Sequence, residues 1–146
     1  LGYSAIANVQ PVPQYASLHS GVPFFDKDDV LRYVAMDRSF VTADDCFLMT
    51  VPDDAMTGRG LAHGDLVLID PSARARDGDL IVARVGDTHM VRTLERRGAS
   101  MALWTAQAEP AQQIVGRDDD FAILGVVATV VRALREPPND SDDLSS

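Results

Sequence analysis

Cysteine, lysine and long apolar runs are scarce in this sequence. The scarcity of cysteine and of apolar runs excludes particular kinds of structure. Cys46 is the only cysteine among 146 residues, so neither an intrachain disulfide nor a cysteine-cluster metal site can form. Lys27 is the only lysine. No apolar run approaches the roughly 18 residues that a membrane-spanning helix needs, so no membrane partner is expected. No basic segment precedes an apolar one near the start, so the sequence indicates no signal peptide and the cytoplasm is the expected location.

Acidic residues outnumber basic ones by 22 to 13, which gives a formal net charge of −9. Such a chain repels a phosphate backbone, so we do not expect this part of a protein to bind nucleic acid by itself. Its three histidines, His19, His63 and His89, form no pair with metal-ligand spacing. The sequence therefore predicts neither a metal nor a cofactor.

The length suits one domain with flanking segments. We expect residues 1–20 to be a linker or arm, because Pro11-Val12-Pro13 disfavours a helix, although the segment from Val9 to Tyr15 is compatible with pairing at a sheet edge. The domain itself is predicted over residues 21–135. Residues 136–146 are acidic and rich in serine, and we expect them to be disordered.

Residues 24–45 favour no single structure. The acidic run at 26–29 resembles the first turn of a helix, with Val30, Leu31 and Val34 as its apolar face, but an extended arm fits as well. From Phe47 onward the apolar period is two, which predicts strands rather than helices. The predicted strands cover residues 46–51, 65–70, 79–85, 88–94, 101–105 and 121–132. Gly86-Asp87 between two of them is typical of a tight hairpin. We predict a mainly β fold, with a curled, partly closed antiparallel sheet and an N-terminal extended arm.

The predicted strand at 121–132 is apolar on both of its alternating faces. Such a strand must be covered on both sides. It is either a central strand of the sheet or a strand whose cover is completed by a second subunit.

The segment around residues 53–70 resembles the active-site region of the LexA/UmuD family of self-cleaving repressors and polymerase-accessory proteins. It contains Asp53-Asp54-Ala55-Met56, then Gly58 and Gly60, then Gly64-Asp65 followed by an apolar strand; the family pattern is Gly-Asp-Ser-Met, a variable turn, and Gly-Asp with an apolar strand. The resemblance continues through residues 77–85 and 90–94 and ends at 123–127. It covers roughly residues 20–135, in order and at matching spacing.

The resemblance implies a Ser–Lys dyad, in which a buried neutral lysine removes the serine proton and the serine attacks a peptide bond of the protein's own arm. This sequence departs from the pattern at both positions: the serine position is Ala55 and the lysine position is Arg92. Alanine has no nucleophilic atom, and arginine keeps its proton at physiological pH. We therefore expect no self-cleavage by this route, and we expect Ala55 and Arg92 to lie side by side.

The family's scissile bond is Ala-Gly or Cys-Gly with a proline shortly after it, and Ser20-Gly21-Val22-Pro23 occupies that place here. The resemblance therefore marks Ser20–Gly21 as a vestigial cleavage site; the alternative is that Gly21 is a turn residue in a linker. Arg92 also has two interpretations. Its guanidinium either fills the lysine position and contacts the docked arm, or faces solvent and pairs with an acid.

The resemblance implies the dimerisation and regulatory domain of a repressor of the DNA-damage (SOS) response type. Its partners would be a second copy of the chain, DNA through an N-terminal domain absent here, and a RecA-type filament. Alternatives are a UmuD-like accessory subunit of a translesion polymerase, or an engineered inactive form of a self-cleaving repressor. Four residues of the apolar strand are expected to build much of the dimer contact: Ile123, Val126, Val127 and Val130.

Overall fold

Nine strands form one open, mixed sheet in the computed structural model, which describes residues 8–15 and 30–131. The order across the sheet is β2-β1-β3-β4-β9-β5-β6-β7-β8. The strands are β1 (Val9–Tyr15), β2 (Val30–Asp37), β3 (Phe47–Thr50), β4 (Leu66–Asp70), β5 (Leu80–Val85), β6 (Thr88–Arg97), β7 (Ser100–Trp104), β8 (Gln112–Val115) and β9 (Phe121–Val131). Two short 3₁₀ helices, η1 (Arg38–Phe40) and η2 (Thr57–Arg59), complete the described elements. The prediction of a mainly β fold is confirmed.

All strand pairings are antiparallel except one, in which Gln14 of β1 meets Leu48 of β3 in parallel. All six strands predicted from the alternating pattern are present. The predicted tight hairpin at Gly86-Asp87 joins β5 to β6, and Gly86 takes a left-handed φ of 57° that suits glycine. The segment from Val9 to Tyr15, for which the sequence left pairing open, forms β1 next to the edge strand β2. β2 is extended rather than helical.

β9 is the central strand of the sheet. Its second half pairs with β4 and its first half with β5, and the change of partner coincides with irregularities in both pairings. Gly125 lies at this change, where a Cβ would be 2.4 Å from Cγ2 of Ile69. Only glycine lets the β4 backbone come this close, so the residue permits one strand to serve two partners.

Buried side chains cover both faces of the sheet. One cluster joins β3, β4, β5 and β6 through residues such as Met49, Val67 and Val82, and it also receives Met56 from the turn after β3. The opposite face carries two clusters, one centred on Leu94 and Leu103 and one beneath the β1–β2 ribbon. Because Met56 belongs to the first cluster, the turn that carries Ala55 packs against the core.

Candidate functional site

The candidate site is built on the turn that follows β3. The turn is fixed to the neighbouring turn at residues 62–65, because the Val51 N–H donates to the Asp65 carbonyl (2.8 Å) and the Gly64 N–H donates to the Val51 carbonyl (2.9 Å). Within the turn, the Ala55 N–H donates to Oδ1 of Asp53 at 3.0 Å. This side-chain-to-backbone bond is the usual way in which aspartate stabilises a tight turn.

Ala55 is buried and held from both sides. Its carbonyl accepts a hydrogen bond from the Ala106 N–H at 2.8 Å, and Ala106 in turn packs against the core. The next residue, Met56, has no exposed surface and lies inside the same core cluster. The backbone at residue 55 is therefore held in place although its side chain is a single methyl group.

Arg92 approaches this turn from β6. Its side chain is only 16% exposed, and its Nη1 donates to the carbonyl of Val91 at 2.7 Å. Its Nη2 lies 3.6 Å from Oδ2 of Asp53, which makes a salt bridge with a carboxylate that is 45% exposed. Asp53 thus contacts both sequence-predicted positions: one oxygen binds the Ala55 backbone and the other faces the Arg92 guanidinium.

Other polar contacts surround this centre. Oδ1 of Asp54 accepts the His63 N–H at 2.9 Å, and Nε2 of Gln107 donates to the Asp54 carbonyl at 3.4 Å. Nη1 of Arg59 donates to the Thr93 hydroxyl at 3.2 Å and to the Gly78 carbonyl at 3.3 Å. η2 and the turn at 76–79 are thereby tied to β6 beside Arg92.

The side chains of Ala55 and Arg92 offer neither a nucleophile nor a base. Residue 55 offers no hydroxyl, and the guanidinium at residue 92 cannot give up a proton to act as a base. What the centre offers is a charged, partly exposed Asp–Arg pair next to a buried turn. Across the described ranges, no group of three or more His, Cys, Asp or Glu side chains is placed to hold a metal ion.

The remaining predicted site residues fall in two regions. Ser20 and Gly21 lie outside the described residues, in the connection at 16–29 between β1 and β2. On β9, three of the predicted dimer residues are partly buried against the chain's own core clusters: Ile123, Val126 and Val127. Val130 is 38% exposed.

Val130 lines an open groove between β9 on one side and the end of β2 with η1 on the other. The groove is also lined by Ala35, Phe40 and Thr129, and Phe40 is 50% exposed. Sequence reasoning missed Phe40, because residues 24–45 gave no clear element from which its direction could be read.

Asp53 is the functional candidate that sequence reasoning missed at the site itself. It stands where the family pattern quoted above has glycine, and that departure was the available signal. The sequence could not show that β6 returns to the turn after β3, which is what places the carboxylate beside Arg92.

The comparisons with known proteins agree with this architecture. Residues 13–128 match the family described as Peptidase S24-like. The chain is 32% identical over 121 residues to the LexA repressor of Bordetella avium (strain 197N), which covers 83% of this chain and 57% of that protein. It is also 32% identical over 121 residues to LexA repressor 1 of Xanthomonas campestris pv. campestris, with 83% and 60% covered.

The chain therefore belongs to the Peptidase S24-like family, and its domain is of the LexA/UmuD type. It spans a little over half the length of the curated relatives it matches. Within residues 8–15 and 30–131, no helix is long and apolar enough to cross a membrane.

Proposed function

We propose that this chain is the regulatory and dimerisation domain of a LexA-like transcriptional repressor that has lost Ser–Lys self-cleavage. The observation that carries the proposal is the pair of contacts made by Asp53. This carboxylate binds the backbone of Ala55 and faces the guanidinium of Arg92, which supports a site in which the two positions matched to the dyad are linked through one side chain and hold neither a nucleophile nor a base.

The rest of the protein would act through this domain. DNA would be bound by an N-terminal domain joined through the segment before β1, in the cytoplasm, as part of the response to DNA damage. Two copies of the domain would bring two DNA-binding domains together and raise the affinity for paired sites. The exposed side chains of Val130 and Phe40 support a self-association surface at the β9–η1 groove. The other predicted dimer residues, Ile123, Val126 and Val127, pack partly against the chain's own core clusters.

Without cleavage, release from DNA requires a signal other than hydrolysis at Ser20–Gly21. A RecA-type filament would then bind without triggering a cut, or would not bind at all. Incubation with an activated RecA-type filament followed by co-sedimentation distinguishes these two cases.

A cleavage assay tests the loss of self-cleavage. The unmodified chain, A55S and R92K should all stay intact during prolonged incubation at about pH 9–10, where a lysine amine approaches its usual pKa of about 10.4. The double variant A55S/R92K restores both chemical groups and is the only one of the four that is expected to yield fragments ending at Ser20 and beginning at Gly21. Cutting of the unmodified chain at that bond would contradict the proposal.

A UmuD-like accessory subunit of a translesion polymerase is the second candidate function. The observation in its favour is that the family match over residues 13–128 covers a domain type that polymerase-accessory proteins share with the repressors. A helix-turn-helix encoded upstream of Leu1 in the same gene supports the repressor. Polymerase binding by a gene product without a DNA-binding domain supports the accessory subunit.

Arg92 also helps to decide whether Ala55 is natural or engineered. One substitution of the nucleophile is enough to trap an uncleaved protein, so a second change at the base position favours natural loss. The sequence of the chromosomal gene at codon 55 decides between the two origins.

A further inference from the structure

We propose that Asp53 is a positioning residue that holds the turn at Ala55 with one carboxylate oxygen and favours a positive charge at position 92 with the other, which disfavours the neutral base that hydrolysis would need. The inference rests on the proposed function and adds a third change to the two at the dyad positions.

The two carboxylate oxygens of Asp53 make different contacts. Oδ1 accepts the Ala55 N–H at 3.0 Å, which fixes the turn, while Oδ2 faces Nη2 of Arg92 at 3.6 Å. The Arg92 side chain is 16% exposed, so its charge is largely removed from water and gains more from a nearby carboxylate than a surface charge does. Asp53 thereby joins the turn after β3 to β6 at the point where a dyad would need them joined.

The same carboxylate would oppose general-base chemistry even if a lysine stood at position 92. A base must be neutral to accept the serine proton, and an anion a few ångströms away stabilises the protonated amine. At this separation and in a partly solvated setting, the effect amounts to about one pH unit in the pKa of the amine. A serine at position 55 and a lysine at position 92 would therefore still leave the Asp53 carboxylate, which raises the pKa of the lysine amine.

Other charged groups lie on the turns around this site. Asp54 lies in the same turn, with Oδ1 bonded to the His63 N–H. The guanidinium of Arg59, from η2, is bonded to the Thr93 hydroxyl and would lower the pKa of a neighbouring amine. Asp79 comes from the turn before β5, where its carboxylate accepts the Arg76 N–H. Among the described residues, Asp53 is the carboxylate that forms a salt bridge with residue 92, so its removal should have the largest effect.

An NMR titration of the introduced amine tests this directly, with no need for cleavage. The pKa of the lysine amine is measured in R92K, R92K/D53N and R92K/D54N. D53N removes the charge but keeps an oxygen that can accept the Ala55 N–H, and retained protection of the Ala55 amide against hydrogen exchange shows that the turn is intact. We expect D53N to lower the pKa by about one unit and D54N to lower it by clearly less. Equal values in R92K and R92K/D53N, or equal effects of D53N and D54N, would overturn the inference.

A cleavage assay then separates this inference from the proposed function. We expect A55S/R92K/D53N to cut at Ser20–Gly21 with its half-maximal rate about one pH unit below that of A55S/R92K, which is roughly a tenfold faster rate near neutrality. Identical pH profiles would overturn the role of Asp53. If the amine pKa shifts as expected but neither variant cuts, the role of Asp53 stands and the vestigial cleavage site of the proposed function fails.

Discussion

Ala55 keeps two backbone hydrogen bonds although its side chain carries no reactive atom. Its N–H is bound by Asp53 and its carbonyl by the Ala106 N–H, and Met56 anchors the turn in the core. These contacts depend on backbone atoms and on neighbouring residues, so they do not require a hydroxyl at position 55. The backbone of the turn is thus stabilised independently of any chemistry at that position.

Asp37 caps the start of η1 with its carboxylate. Its carboxylate accepts the Ser39 N–H at the start of η1, and this hydrogen bond, helped by the Ser39 side chain, holds the pKa of Asp37 below its ordinary value of 3.8. A lowered pKa means that the contribution of Asp37 to folding is present above the ordinary pKa and is lost as the pH falls through the folded-state pKa.

A carbon-detected NMR titration between the native and the urea-unfolded chain checks the prediction for Asp37. The Asp37 carboxyl should titrate at a lower pH in the native chain, and the Ser39 amide shift should follow the same curve. A native pKa equal to or above the unfolded one would contradict the role of this hydrogen bond.

At the scale of elements, β9 depends on one residue that has no side chain. Gly125 lies where β9 changes its partner from β5 to β4, and a Cβ there would lie 2.4 Å from Cγ2 of Ile69 and 3.0 Å from the Asp70 carbonyl oxygen. Because Asp70 O belongs to the backbone, the clash cannot be relieved by a rotamer change alone.

Gly125→Ala should lower the free energy of unfolding by roughly 1–3 kcal/mol, since overpacking forces β4 and β9 apart. The matched control is Gly116→Ala, where the nearest atom to a new Cβ is Oδ2 of Asp119 at 3.7 Å and the change should stay within about 0.5 kcal/mol. Urea denaturation of both variants measures the difference. Equal midpoints for the two would show that the sheet accommodates a side chain at residue 125.

The β9–η1 groove carries exposed apolar side chains that a second copy of the chain would cover. If it is the self-association surface, charged side chains there should separate the copies, because an unpaired buried charge is costly at an interface. Phe40→Glu and Val130→Glu should each raise the dimer dissociation constant about tenfold or more. Ile114→Glu on the edge strand β8 is the control, since Ile114 is also exposed but lies outside the groove. Sedimentation equilibrium measures all three, and an equal effect of the Ile114 variant would argue against the groove.

Six strands from β3 onward could be predicted from the sequence. Most of them show the apolar period of two that a half-buried strand imposes, and β9 was found as a long apolar run rich in Val and Ile. β8 could not be predicted, since three of its four residues are exposed and its pairing with β7 is what defines it. β2 carried an acidic run before it that equally suits a helix, and pairing with β1 decided the outcome. At the site, Ala55 and Arg92 were found from the family pattern, whereas Asp53 required the path of β6 to be known.

At the scale of the whole molecule, the β1–β2 ribbon is joined to the sheet by few backbone contacts. The two strands pair with each other along their full length, but only Gln14 of β1 is in register with β3, at Leu48. The ribbon is held mainly by side chains on its inner face, among them Val12 and Met36. β2 forms an edge of the sheet.

Hydrogen exchange should therefore divide the chain into two zones. Amides of β1 and β2 should exchange about tenfold or more faster than those of β5 and β9, because the ribbon can open without disturbing the central pairings. Exchange measured residue by residue in the native protein tests this. Equal protection in both zones would show that the ribbon and the sheet unfold as one unit.

The position of β9 has a consequence for how the protein is made. Every strand pairing between the β2-β1-β3-β4 half and the β5-β6-β7-β8 half runs through β9, which is the last of the described strands to leave the ribosome. Until it emerges, β4 and β5 each present an unpaired edge on a nascent chain, and such edges pair readily with the wrong partner. A cell that slows translation within codons 121–131 should consequently lose more of this protein to aggregation than one that slows it within β2.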